Sequence, residues 1–111
     1  MIFDAGDVVV VPFPFSDLPV ARPRPALVLS PAGANARAGT TVLAMITAAA
    51  NSRRPNDVEL TDLQTAGLRA PSVVRMKLFS LDNRLLARRV GVIGTSDRKA
   101  VRAGVQALIA I

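Results

Sequence analysis

The side chains in this sequence that could do chemistry are arginines set close to hydroxyls. Arg22 and Arg24 lie among prolines in PVARPRP, Thr47 ends the apolar run TVLAMIT, and Ser52, Arg53 and Arg54 follow just beyond it. Arg75 and Lys77 alternate along the later run SVVRMKLF, and Phe15 stands beside the proline-bearing segment. A guanidinium keeps its charge and offers a planar fork of donors that matches two oxygens of a phosphate, while a hydroxyl can donate or accept at the same group. The chain has no cysteine and no histidine, which removes the thiol nucleophile, the usual proton shuttle and the commonest metal ligand. There is no G-x-S-x-G, no phosphate-cradling glycine loop, no H-E-x-x-H and no carboxylate cluster at metal-site spacing. Each candidate also has an ordinary reading. A strand-end threonine serves β propensity, Arg53 and Arg54 suit a solvated loop, and PVARPRP suits a structural turn better than a polyproline ligand.

These groups can act together only if the chain carries them to one place. Residues 7–15 (DVVVVPFPF) are β-branched and aromatic, as a strand requires, with Pro12 and Pro14 marking an edge or a bend. SDLPVARPR then reads as a loop and Ala26–Ser30 as a short buried strand. PAGANARAG reads as a turn-rich connection, Thr41–Thr47 as a third strand and Asp57–Leu60 as a fourth. Thr61 with Gln64 forms a capping-box pattern, and Gly67 ends the one or two helical turns it predicts. Ser72–Phe79 reads as a long strand with Arg75 and Lys77 on its exposed face. SLDNRLLARR reads as a short helix and VGVIG as a last strand. Ser96 is expected to cap a closing helix whose Val101, Val105, Leu108 and Ile109 pack on the core as one stripe.

At 111 residues and 50% hydrophobic content the chain fits a single domain, residues 1–111, with a modest core. The many short strands and brief helices predict a mostly β (α+β) fold. The expected form is a small SH3-like curved antiparallel β-barrel with short helices and a C-terminal helix. Lys and Arg total 14 against 8 Asp and Glu, a net +6 that suits a polyanionic partner such as nucleic acid or an acidic protein tail. The first apolar run follows Asp4 and Asp7 and is broken by prolines, and the terminal AGVQALIAI is too short to span a bilayer. A cytoplasmic protein with no membrane segment is therefore expected.

GDVVVVPFPFSD, RPALVLS, ITAAANS and PSVVRMKLFSLDNRLLARRVG, in that order and nearly end to end, resemble the PemK/MazF family of toxin ribonucleases. The resemblance implies a homodimer of barrels related to SH3 that cleaves single-stranded RNA with no metal and no cofactor. It also implies restraint by an acidic, partly disordered antitoxin. It places the family's arginine of the RP motif on Arg24 and its hydroxyl on Thr47 as a catalytic pair, and matches Arg75 to a further arginine of the PemK branch. The acidic residue that follows that arginine in the branch is replaced here by Met76 and Lys77, so no proton-transfer role carries over. Arg22, Ser52, Arg53, Arg54, Arg75, Lys77 and Phe15 are the candidate RNA contacts. The implied reaction is attack by the 2′-hydroxyl to leave a 2′,3′-cyclic phosphate, with a guanidinium stabilising the charge that builds on the phosphate. Two other classes fit the same barrel: a gyrase poison of the CcdB kind, and a basic nucleic-acid-binding module without activity.

Overall fold

The apolar runs pair into one six-stranded antiparallel sheet in the computed structural model, which describes residues 1–14, 21–51 and 53–111. Its strands are β1 (Asp7–Phe13), β2 (Arg22–Val28), β3 (Thr40–Ala48), β4 (Val58–Glu59), β5 (Ser72–Asp82) and β6 (Arg88–Val92), in spatial order β4-β5-β3-β2-β1-β6. Three helices accompany them: α1 (Ala32–Ala38), α2 (Leu63–Ala66) and α3 (Thr95–Leu108). The sheet curls into a half-barrel, with α2 packed on β6 and α3 on β4 and β5. This is the mostly β architecture with a C-terminal helix that the sequence predicts. Among the described residues no helix is long and apolar enough to cross a membrane.

Strand periodicity sorts the core onto two faces. Val8, Leu27, Ala44, Ile46 and Val74 meet Ala66 of α2 and Val101 of α3 on one face. Val9, Val11, Ala26, Val28 and Leu43 meet Phe3, Leu81 and Leu86 on the other. Both faces of the central strands are buried, which is why their sequences read as continuous apolar runs.

Several local expectations are corrected. PAGANARAG is not a turn: its residues 32–38 form α1, ended by Gly39 at φ 76°. The strand expected at Ala26 begins at Arg22, so the RPRP segment is a strand and not a loop. The capping box at Thr61 is absent. Asp62 caps α2 by accepting from the Thr65 N–H at 3.0 Å, and the Thr61 hydroxyl donates instead to Asp97 at 2.7 Å. β5 runs on to Asp82 and leaves only a 3₁₀ turn, Asn83–Leu85, of the helix expected there. α3 starts from Gly94 with no side-chain cap, so Ser96 lies inside the helix. Its stripe is buried at Val101, but Leu108 and Ile109 are 46% and 49% exposed, so the helix end does not pack on this core.

Arg98, Lys99 and Arg102 in the early turns of α3 oppose its dipole. Arg98 has a tertiary reason to be there: its guanidinium donates to the Ala5 carbonyl at 3.2 Å and lies over Gly6 (φ 96°), where a Cβ would sit 2.0 Å from its Nη2. α2 crosses β6 equally closely. A Cβ on Gly67 would fall 2.1 Å from the Val90 carbonyl oxygen, so glycine is required there by both space and its φ of 74°.

Candidate functional site

The prolines around Arg24 open the site by ending a hydrogen-bond ladder. β2 pairs with β1 from Arg22 to Leu27 but with β3 only from Ala26 to Val28. The Leu29 N–H donates to the Val42 carbonyl at 2.8 Å, so odd-numbered residues of β2 turn their backbone groups toward β3. Pro23 and Pro25 are odd-numbered and have no N–H to give, so the ladder to β3 stops at Ala26 opposite Met45. Even-numbered Arg22 and Arg24 keep their pairing with Phe13 and Val11 of β1. Pro12 lies opposite Pro23, a pair that neither residue could hydrogen-bond in any case.

Beyond that point β2 and β3 part, and a hollow of about 330 Å³ lies between them. Arg24 and Pro25 of β2 line it, with Thr47 of β3, Phe13, Asn51 and Ser72. Carried past Ala26 opposite Met45, the register puts Arg24 level with Thr47. Arg24 shares parity with Ala26 and Val28, and Thr47 with Leu43, so both side chains leave the sheet on the face of the second core cluster. The hollow thus combines an exposed guanidinium, a half-buried hydroxyl and an apolar floor. A second hollow of about 320 Å³, between α3, residues 5–6 and the end of β2, contains none of the candidate catalytic or RNA-contact residues.

The other candidates are placed differently. Arg22 is exposed two residues from Arg24 on the same face. Arg53 pairs with Glu59 at 3.3 Å, an exposed contact worth little to stability. Arg54 is exposed, and its N–H donates to Asp57 at 3.0 Å. Lys77 is exposed where β5 bulges against Ala44 and Met45 of β3. The expected exposed basic face fails at Arg75: its side chain is 14% exposed and paired with Asp57, itself 10% exposed, at 3.1 Å. The alternation itself holds, with Val74, Met76 and Leu78 on the face of the first core cluster, so it is the pairing with Asp57 that takes Arg75 out of solvent. Phe15 and Ser52 lie outside the described residues.

The Arg75 hydrogen bond holds the Asp57 carboxyl below its ordinary range, outweighing the upward push of burial, with help from the Arg54 N–H. Asp57 is therefore a weak base. Among the described residues no group of three carboxylates comes together as a metal site would need. Sequence reading missed Asn51 and Ser72. Asn51 donates through Nδ2 to Thr47 Oγ1 at 2.7 Å, and the Ser72 hydroxyl donates to the Ala70 carbonyl at 2.8 Å. The available signal for Asn51 was a turn-forming amide four places after a strand-end threonine, in a stretch otherwise made of alanine.

Residues 4–109 match the family model described as PemK-like, MazF-like toxin of type II toxin-antitoxin system. Among solved structures, the chain is similar to MazF from Deinococcus radiodurans, with 27% identity over 100% of this chain and 99% of that one and a TM-score of 0.77. It is also similar to a MazE-MazF complex from the same organism, with 26% identity, coverage of 100% and 98%, and a TM-score of 0.76. A mycobacterial endoribonuclease in complex with its cognate antitoxin shares the fold at 15% identity, coverage of 96% and 91%, and a TM-score of 0.71. No curated protein matches the chain.

Proposed function

The chain belongs to the PemK-like, MazF-like toxin family of type II toxin-antitoxin systems, and from that premise we propose that it is an endoribonuclease that cleaves single-stranded RNA without a metal. The observation that carries this reading is the placement of Arg24 and Thr47 on one face and level in register, in the hollow that the prolines open. In RNA the nucleophile is internal. The 2′-oxygen attacks phosphorus, the bond to the 5′-oxygen breaks, and the products are a 2′,3′-cyclic phosphate and a 5′-hydroxyl. The protein must hold those oxygens in line and stabilise the charge that grows on the phosphate. Arg24 supplies a permanent charge and two parallel donors, and Thr47 supplies a third polar contact across the hollow. Splayed strands leave room for an unpaired backbone with its bases turned outward, which suits single-stranded RNA.

The reading includes a homodimer and an acidic antitoxin. The solved MazE-MazF complexes are of similar chains, and the net +6 charge is complementary to an acidic segment. The test incubates purified protein with single-stranded RNA in EDTA. Cleavage with 2′,3′-cyclic phosphate ends is expected, falling by about 10²–10³ for Arg24→Ala, the loss typical of one transition-state donor. Gyrase trapping by a protein that leaves RNA intact would sink the proposal. Light scattering should give about twice the 11.7 kDa chain mass.

A further inference from the structure

Asn51 is not among the residues that the sequence singles out, yet its Nδ2 donates to Thr47 Oγ1 at 2.7 Å and its side chain lines the same hollow as Arg24. The backbone explains why it is held there. The Asn51 N–H donates to the Ala48 carbonyl at 3.0 Å, closing a turn directly after β3. The Ala49 N–H donates to the Pro71 carbonyl at 2.9 Å, tying that turn to the start of β5.

A threonine hydroxyl has one proton and two lone pairs. Because Asn51 occupies a lone pair as donor, the hydroxyl proton turns away from Asn51. The open side that remains is the hollow. We propose that Asn51 is a positioning residue that fixes the Thr47 hydroxyl as a hydrogen-bond donor toward a phosphate oxygen held in the hollow. This rests on the ribonuclease reading and decides between two roles that Thr47 could take in it. As an acceptor, Thr47 would present a lone pair to an anion. As a donor, it adds to the stabilisation that Arg24 provides as charge accumulates on the phosphate.

The test compares wild type, Asn51→Ala, Asn51→Asp, Thr47→Ala and the Asn51→Ala/Thr47→Ala double variant on one single-stranded RNA oligonucleotide. Asn51→Ala should lower kcat about tenfold with KM unchanged within about twofold, because the contact is used in the transition state. Asn51→Asp replaces the donor with a charged acceptor and should lower kcat further than Asn51→Ala. In the Thr47→Ala background, Asn51→Ala should change kcat by less than about twofold, because the two groups act as one unit. A purely structural role for the turn would instead add in full to the Thr47→Ala loss. Independently, the Asn51 side-chain amide resonance in a ¹H–¹⁵N spectrum should move on Thr47→Val. Full additivity, or an unmoved amide, overturns the inference while leaving the ribonuclease reading in place. Wild-type protein that leaves RNA intact overturns both.

Discussion

At Arg24 two qualities of the side chain, charge and shape, can be separated by substitution. Lysine keeps the charge but has a compact ammonium in place of the planar fork, so it cannot hold two phosphate oxygens in a fixed orientation. Arg24→Lys should therefore recover only a minor part of the roughly 10²–10³-fold loss expected for Arg24→Ala, read as kcat on a fluorogenic single-stranded RNA. Recovery to near wild-type kcat would show that simple charge suffices there. At Arg75 the balance is reversed. Its guanidinium is bound to Asp57 and both side chains are mostly buried, so the pair supports the fold before it can serve RNA. Asp57→Ala should cost about 1.5–3 kcal/mol, the range for hydrogen bonds to charged groups, measured by urea unfolding. The pH sign follows from the direction of the shift. Folding lowers the Asp57 carboxyl below its ordinary value of 3.8, so the folded chain binds fewer protons. The stability this contributes is present above about pH 4 and is lost as pH falls through the lower folded value. Asp57→Ala should flatten the acid limb of the stability curve, and an unchanged limb would place that acid sensitivity elsewhere.

At the scale of elements, the strand cores were legible because the central parts of β1, β2 and β3 are apolar on both faces, even though prolines interrupt β1 and β2. The pair formed by Arg24 and Thr47 was nameable from RPALVLS and ITAAANS, but its setting was not. Proline is a breaker in isolation, and only the partner strands reveal that Pro23 and Pro25 face the side where β3 has left. α1 escaped notice because Gly33 and the glycine at its end read as loop signals, while its stability comes from elsewhere in the fold. Asn35 is buried and donates to the Phe3 carbonyl at 3.0 Å, while the Ala32 N–H donates to Asp4 at 2.8 Å. Such long-range partners leave no local trace in sequence. Asp97 is the parallel case in α3. It is 2% exposed and accepts from the Thr61 hydroxyl and from the N–H groups of Thr61 and Asp62, so the first turn of α3 pins the segment that leads into α2. Burial pushes its pKa up, but those hydrogen bonds together outweigh burial and hold it low. Asp97→Ala leaves two N–H groups without this acceptor. At roughly 2 kcal/mol it should lower Tm by about 10 °C in a domain of this size. A shift under about 2 °C would mean that water replaces the carboxylate without loss.

For the whole molecule, net charge and the direction in which the site opens set how it meets its partners. The chain carries +6, and Arg22, Arg24, Arg53 and Arg54 are exposed within its first half. The hollow itself has an apolar floor, and the chain has no tryptophan or tyrosine and only four phenylalanines with which to stack bases. Affinity for a single strand should therefore come from phosphate contacts, and it should be steeply sensitive to salt. An uncleavable single-stranded oligodeoxynucleotide isolates that term, because it lacks the 2′-hydroxyl and cannot react. If about four phosphates are neutralised, log K against log salt should fall with a slope near −3, from about −0.7 per phosphate on single strands. On the proposed reading, in which each side chain takes one phosphate, Arg22→Ala and Arg24→Ala should each make the slope shallower by about 0.7. Arg75→Ala should leave it unchanged, since that guanidinium is spent on Asp57. A slope near zero in the wild type would place binding on apolar contacts instead. A slope that responds to Arg75 but not to Arg24 would move the phosphate track off the hollow between β2 and β3, and the proposed site with it.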